Sequence, residues 1–307
     1  MLSPAEVGWY LGFYAQEWLE ERFRLTRKLA REVDEEPSVR AVHDLRVACR
    51  RLREAIAFFD AAPELPVLSE VDRAARRMAR SIGRLRELDV TAKRLAALDL
   101  PMPNAESERL KRELVSKLRA RRHKVAQKRG KRIGKRTEQL EAAIHRQMPI
   151  GVRQRLTDAD PANEQKLRAF ADARVSARRA EVERLVATAR WRGRIGYSDR
   201  DAAHLHAIRV AIKHWRYASE IARPVVPRVL YRPMAVRLRR LQDLGGRSQD
   251  FADLARVVEK ELGKLEKPSP SSRVILAAAR AARAKAALEF IDALKQLLSS
   301  THVASAG

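Results

Sequence analysis

Cysteine is almost missing from this 307-residue sequence, which contains only Cys49. A single cysteine excludes an internal disulfide framework and any zinc site built from several cysteines, and it suits a reducing, cytoplasmic environment. No run of about 18 apolar residues occurs, so the sequence predicts no transmembrane helix. We also expect no signal peptide, because the first residues lack a basic leader followed by an unbroken apolar stretch.

Aromatic residues are scarce as well, at 5% of the sequence, and only 12 glycines are present. Ala, Leu, Arg, Glu and Lys dominate instead, and these are strong helix formers. The 13 prolines act as breaks between helical segments. The pattern predicts an all-α protein with eight helical segments, four on each side of a boundary at 149–160.

The charge is strongly one-sided. Lys and Arg number 64 against 39 Asp and Glu, which gives a formal net charge of +25. Such a surplus repels itself and is best accommodated by a polyanionic partner. Nucleic acid, an anionic membrane and inorganic phosphate chains are the candidates.

An internal repeat links the two halves of the sequence. HDLRVACRRLR begins at His43, and HAIRVAIKHWR begins at His206. A second match follows downstream, because Arg86 and Asp89 in RELDV correspond to Arg247 and Asp250 in RSQDF. The first match pairs His43 with His206, Arg46 with Arg209, Arg50 with Lys213 and Arg53 with Arg216.

The first repeat forms an amphipathic helix at 100° per residue. The cationic or ionisable residues His43, Arg46, Arg50 and Arg53 lie on one narrow stripe of this helix. The second copy has its basic and apolar residues at the same helical positions. Like charges at this spacing repel one another. The planar guanidinium group of arginine, however, can donate two hydrogen bonds to the oxygens of a phosphate group. The stripes therefore favour phosphate binding over two simply solvated helix faces. The opposite sides are apolar, with Leu45, Ala48, Cys49, Leu52, Ile56 and Phe59 in the first copy and Ile208, Ala211, Ile212, Trp215 and Ala222 in the second.

The longest basic tract spans 109–136 and holds a single acid, Glu113. A thin apolar seam runs through the tract, which predicts a helix lining the same anionic ligand rather than a disordered tail. For Asp89 and Asp250 we expect a role in orienting neighbouring arginines or capping a turn.

The sequence contains no motif typical of an enzyme active site. Gly130 to Arg136 lacks the spacing of a phosphate-cradling loop, and Glu181 to Arg184 resembles the ExExK strand signature but lies in a helical segment. His204 and His206 are close together, but the surrounding arginines oppose a metal cation. We predict no catalytic residues, no metal site and no cofactor.

At the residues of the repeat the chain resembles the CHAD family, the conserved-histidine α-helical domain. The marks are the duplicated HxxRVxxR/K-x-x-R helix, Tyr217 after Arg216, and the RxxDV element beginning at Arg86. Lys213-His214 and Phe251 depart from the usual pattern of the second copy.

The resemblance implies two four-helix bundles related by a pseudo-twofold axis, with a first bundle over 1–148, a linker at 149–160 and a second bundle over 161–307. It also implies non-catalytic binding of inorganic polyphosphate by a basic surface or central cavity, at cytoplasmic polyphosphate granules. The implied polyphosphate-binding residues are His43, Arg46, Arg50, Arg53, Arg76, Arg80, Arg86, Lys117, Arg121, Arg122, Lys124, His206, Arg209, Lys213, Arg216, Arg237 and Arg247.

Other functions remain as alternatives. A DNA- or RNA-binding protein would use the same charge through counterion release, although no aromatic stripe interleaves the basic rows as a base-stacking platform would require. A polyphosphate-processing enzyme would need clustered carboxylates for metal ions. A membrane partner is not expected, because the basic helices lack large apolar residues on one side.

Overall fold

The computed structural model describes residues 4–60, 68–147, 161–189, 199–224, 228–264 and 269–304. Within these ranges the protein is all-α, with nine helices and no strand. None of these helices is long and apolar enough to cross a membrane. The helices are α1 (Pro4–Glu35), α2 (Val39–Phe59), α3 (Ser69–Ser81), α4 (Gly83–Ala96), α5 (Ala105–Gln147), α6 (Pro161–Ala187), α7 (Asp199–Ala222), α8 (Arg228–Leu262) and α9 (Pro270–Ala304).

The prediction of four helical segments before the boundary is wrong, because the third segment is divided into α3 and α4. The break lies at Ile82, where the Ser81 hydroxyl donates a 2.7 Å hydrogen bond to the Met78 carbonyl. A side chain that bonds to the backbone in this way competes with helix continuation, and Gly83 follows with a low helix propensity. No proline marks this break, so the sequence pattern did not reveal it.

The chain divides into two compact units, and each unit takes residues from both halves of the sequence. Unit 1 contains 1–87, 123–177 and 217–232, and unit 2 contains 88–122, 178–216 and 233–307. The units therefore interleave along the chain and do not follow the predicted bundles 1–148 and 161–307. The predicted linker at 149–160 lies outside the described residues, and the pseudo-twofold repeat stays a prediction.

The core of unit 1 is built around α2. The side of α2 that was predicted to be apolar is buried throughout, from Leu45 to Phe59. Phe58 makes edge-to-face contacts with Phe59 and with Phe170 of α6, at ring-centroid distances of 5.1 and 5.7 Å. Because this side of α2 faces the core, its basic side is directed away from the core.

The core of unit 2 includes the corresponding side of α7. Ile208, Ile212 and Trp215 are buried there, as the sequence predicted. Helices α8 and α9 come close at Gly245, where an added Cβ atom would lie 2.8 Å from a ring carbon of Phe290. Gly245 is therefore required by this close helix–helix contact, whereas the neighbouring Gly246 faces open space.

We predict that Gly245→Ala destabilises the protein by about 1–3 kcal/mol, because the methyl group must displace the buried Phe290 ring. Gly246→Ala is the matched control, since it adds the same methyl group where nothing lies within 4 Å. Its better helix propensity should raise stability by up to about 1 kcal/mol. Urea denaturation measures both changes, and equal effects of the two substitutions would contradict the predicted contact.

Candidate anion-binding surface

The basic stripe of α2 lies outside the core of unit 1. His43 is exposed, and Arg46, Arg50 and Arg53 are partly exposed along the same helix. The helix begins after Ser38, whose hydroxyl accepts a 3.1 Å hydrogen bond from the Ala41 amide. This cap fixes the start of α2 one turn before His43.

Helix α3 runs antiparallel beside α2. Near the start of α2, the Arg46 Nη1 donates to the carbonyl of Ala79 at 2.9 Å. Further along, the Arg53 Nε donates to Asp72 Oδ1 at 2.8 Å. This register places Arg50 level with Arg76, and both Arg76 and Arg80 are exposed on α3. The two helices therefore bring five of the predicted arginines to one face of unit 1.

The carboxyl end of α3 is an anchor for two guanidinium groups. Besides Arg46, the Arg129 side chain of α5 donates to the carbonyl of Ser81 at 2.9 Å. The last carbonyls of a helix lack intrahelical partners and carry the negative end of the helix dipole. Gly83 lets Arg46 pass closely, since an added Cβ would lie 3.2 Å from its Nη1. The break between α3 and α4 thus stabilises positive charge at this point.

Arg129 is the residue that the predicted site set omitted. The sequence signal was a row of arginines seven residues apart in the basic tract, Arg122, Arg129 and Arg136. Because the three arginines are evenly spaced, the sequence does not indicate which of them contacts the end of α3. Only the position of the α3 carboxyl end against α5 separates Arg129 from the others.

The electrostatics of His43 show that the cations lie close together. The pKa of His43 is lowered, first by partial burial of the ring and then by the positive charges of Arg86, Arg50 and Arg46, while Asp44 acts in the opposite direction. The pKa of Arg46 is lowered in the same way, by burial and then by Arg50 and Arg86. Burial is thus the larger cause for both groups, and the neighbouring arginines act in the same direction.

We call the surface formed by His43, Arg46, Arg50, Arg76, Arg80 and Arg86 the basic strip. Within the described parts of the chain, none of its arginines forms an ion pair with an acidic side chain. Arg53, in contrast, is paired with Asp72. The uncompensated charge therefore ends before Arg53, although the sequence assigned this residue to the same stripe.

The second copy of the repeat does not form an equivalent strip. Lys213 is buried, with only 7% of its surface accessible, whereas Arg50 at the corresponding position is partly exposed. The predicted contact of Lys213 with phosphate stays a prediction. Arg209 and Arg216 are partly buried, and the exposed His206 shares a 2.6 Å hydrogen bond with the side chain of Gln249. The two copies therefore differ in burial at one position, since Arg209 and Arg216 are about as accessible as Arg46 and Arg53, and only Lys213 is more deeply buried than its counterpart Arg50.

The remaining predicted cations differ in exposure and in ion pairing. Lys117, Lys124 and Arg237 are exposed. Arg121 pairs with Glu261 and Arg247 pairs with Glu289, each at 3.2 Å. Both acids lower the charge that these arginines offer to a ligand.

Arg122 is the most enclosed of the paired cations. Its Nε lies 3.1 Å from Asp89 Oδ1, and the side chains of the two residues are only 13% and 4% exposed. Removing one partner of such a buried pair strongly destabilises the folded protein, because the other charge is left buried without a counter-charge. Arg122 is therefore engaged within unit 2, and its predicted contact with phosphate stays a prediction.

The two RxxD aspartates do orient arginines, as the sequence predicted, but the arginines come from other helices. Asp89 of α4 accepts from Arg122 of α5. Asp250 of α8 accepts from Arg94 of α4 at 3.3 and 3.0 Å, and the Arg94 guanidinium lies 5.3 Å from the centre of the Phe251 ring. Phe251, which departs from the usual valine, therefore contributes a cation–π contact.

The acidic residues of the ExExK-like segment form ion pairs within one helix. Glu181 and Glu183 lie in α6 and pair with Arg184 and Arg179, both at 2.8 Å. Cys49 is a free, fully buried thiol, and burial raises its pKa to about 12. Among the described residues, no three His, Cys, Asp or Glu side chains are grouped so that they could hold a metal ion.

The comparison with known families decides the identity of the fold. A family model described as the CHAD domain matches residues 17–259. The chain belongs to the CHAD domain family. The CHAD assignment made from the repeat is thereby confirmed.

Two solved structures share the CHAD fold with this chain. The CHAD domain from the plant Ricinus communis is 22% identical, with a TM-score of 0.64 over 93% of this chain and 91% of that chain. PptA from Streptomyces chartreusis is 17% identical, with a TM-score of 0.63 over 93% of this chain and 99% of that chain. No curated protein matches the chain.

We predict that NMR titration places the pKa of His43 below 6.5 in the free protein, because of its partial burial and the adjacent arginines. Arg86→Gln should raise this pKa, since it removes the largest repulsive charge. Lys166→Gln is the control, because Lys166 is exposed on α6 and is not among the charges that shift the pKa of His43. Its substitution changes the net charge by the same amount and should leave this pKa unchanged. An unchanged pKa in Arg86→Gln would contradict the cluster.

Proposed function

We propose that this CHAD protein binds inorganic polyphosphate through the basic strip of unit 1, without catalysis, and that it does so at cytoplasmic polyphosphate granules. The proposal is supported by membership of the CHAD family and by the net charge of +25. It is carried by one observation above all. His43 lies among Arg46, Arg50 and Arg86, which have no acidic partner within the described residues.

The chemistry of the strip favours phosphate groups. Guanidinium groups donate two parallel hydrogen bonds to phosphate oxygens, and these charge-assisted bonds are stronger than neutral ones. A bound polyanion would also offset the repulsion that lowers the pKa of His43. The ring would then take up a proton more readily and donate from both nitrogens, so binding should strengthen as the pH falls through the pKa of His43 in the complex.

The spacing of the charges favours a dense polyanion over nucleic acid. The stretch of α2 from His43 to Arg50 is about 10 Å long at 1.5 Å per residue. Arginines of α2, α3 and α4 add their charges along this short distance, and no aromatic side chain belongs to the strip. A nucleic acid carries sugars and bases between its phosphates, and its tight single-stranded complexes use stacking on aromatic rings.

We predict that Arg50→Glu combined with Arg76→Glu lowers the affinity for long-chain polyphosphate at least about tenfold and reduces the salt dependence of binding. Both side chains are free of acidic partners among the described residues, so their replacement should leave the fold intact. Isothermal titration calorimetry at two salt concentrations measures the change. Circular dichroism verifies that helicity is retained.

The matched control is Arg273→Glu with Lys285→Glu, which changes the net charge equally at two exposed positions of α9. If the control loses as much affinity as the strip variant, binding is a property of the overall charge and not of the strip. Competition with duplex DNA at one salt concentration tests the alternative partner. Equal affinity per phosphate for both polymers would replace the proposal by general polyanion binding.

Incubation with polyphosphate and Mg²⁺ should release no orthophosphate, since the strip contains no carboxylate to position a metal ion or activate water. A colorimetric phosphate assay measures this over hours at neutral pH. Phosphate release that is lost in the strip variant would refute the non-catalytic part of the proposal.

A further inference from the structure

The basic strip ends at an ion pair. Arg53 occupies the last position of the α2 stripe, one helical turn after Arg50, but its Nε lies 2.8 Å from Asp72 Oδ1. Both side chains are partly exposed, at 37% and 29%. The pair is therefore open to solvent and within reach of a ligand that lies along the strip.

The contrast with the neighbouring cations is sharp. Arg50 and Arg76, which lie next to Arg53 and Asp72 on the same two helices, have no acidic partner among the described residues. At the opposite end of the strip, Arg40 lies 3.6 Å from Asp44. Asp44 and Asp72 thus pair with the arginines beyond the two ends of the strip, and Arg46 and Arg50 between them have no acidic partner among the described residues.

Asp72 has two opposed effects on a bound phosphate. It neutralises Arg53, and it places a negative charge at the point where a polyanion would leave the strip. It could also hold Arg53 in a fixed rotamer and so present its remaining donors to the ligand. The first effect weakens binding of a longer polyanion, whereas the second strengthens it, so the sign of the effect of Asp72 distinguishes the two roles.

We infer that Asp72 determines ligand length at this surface: it limits the bound segment of a linear phosphate polymer to the stretch between His43 and Arg50. This inference rests on the proposed function, because it assigns the extent of the ligand on the same strip. Arg53 then contributes its charge to binding only when Asp72 is replaced by an uncharged residue. Freeing it would lengthen the strip by about 4.5 Å, three residues of helix.

The test compares Asp72→Asn with the wild type on two probes, sodium tripolyphosphate and long-chain polyphosphate. The substitution keeps the shape of the side chain and removes its charge. We expect long-chain polyphosphate to bind about two- to fivefold more tightly, which is the usual range for an exposed charge pair. Tripolyphosphate, which fits within the existing strip, should gain less.

Asp99→Asn is the matched control, because Asp99 is exposed, has no partner among the described residues and changes the net charge by the same amount. A second variant isolates Arg53. Arg53→Gln alone should change the affinity little, and Arg53→Gln combined with Asp72→Asn should abolish the gain. This double-mutant comparison keeps the test valid if either substitution shifts stability slightly.

Four outcomes overturn the inference. Weaker binding by Asp72→Asn means that Asp72 positions Arg53 for the ligand. A gain of the same size in Asp99→Asn, or for both probes, means that only the net charge matters. If the wild type binds the probes but Asp72→Asn shows the same dependence of affinity on polyphosphate length, only the role of Asp72 is refuted. If the wild type binds neither probe, the proposed function itself fails.

Discussion

The repulsion between arginines on α2, α3 and α4 is the interaction on which the surface of unit 1 depends. Arg46, Arg50 and Arg86 lie close enough to lower the pKa of His43, and no described acid compensates them. Holding like charges together costs free energy in the free protein. A polyanion removes that cost on binding, so the same repulsion that strains the free surface favours the bound one.

Two features of the fold make this concentration of charge possible. The apolar side of α2 is packed into a core that includes Leu45, Leu52 and Phe59, so the direction of its basic side is fixed by burial. The end of α3 then supplies carbonyl acceptors to Arg46 and Arg129. The helix break at Ile82 is therefore part of the surface, because a continuous helix would use those carbonyls internally.

The two copies of the repeat differ in the accessibility of their basic side chains. In α2 the cations stay accessible, whereas in α7 the lysine at the position of Arg50 is buried. Elsewhere in unit 2, Asp89, Glu261 and Glu289 pair with predicted cations. A repeat in sequence thus preserves the packing side of a helix more strictly than the chemistry of its polar side, because only the packing side is constrained by a close-packed core.

Much about this protein follows from the sequence alone. Helical periodicity identified the buried sides of α2 and α7, because the alternation of apolar and basic residues is a local property of each helix. The repeated histidine–arginine motif identified the CHAD family, and the charge identified a polyanion as the expected class of partner. Only the tertiary structure decided which cations stay uncompensated. Arg53 and Arg50 are indistinguishable in the stripe, yet Asp72 neutralises the first and no described acid reaches the second. Arg129 donates a hydrogen bond to the Ser81 carbonyl only because the carboxyl end of α3 lies beside α5. Ion pairs and helix-end contacts join residues far apart in the chain, so no periodicity within one segment can reveal them.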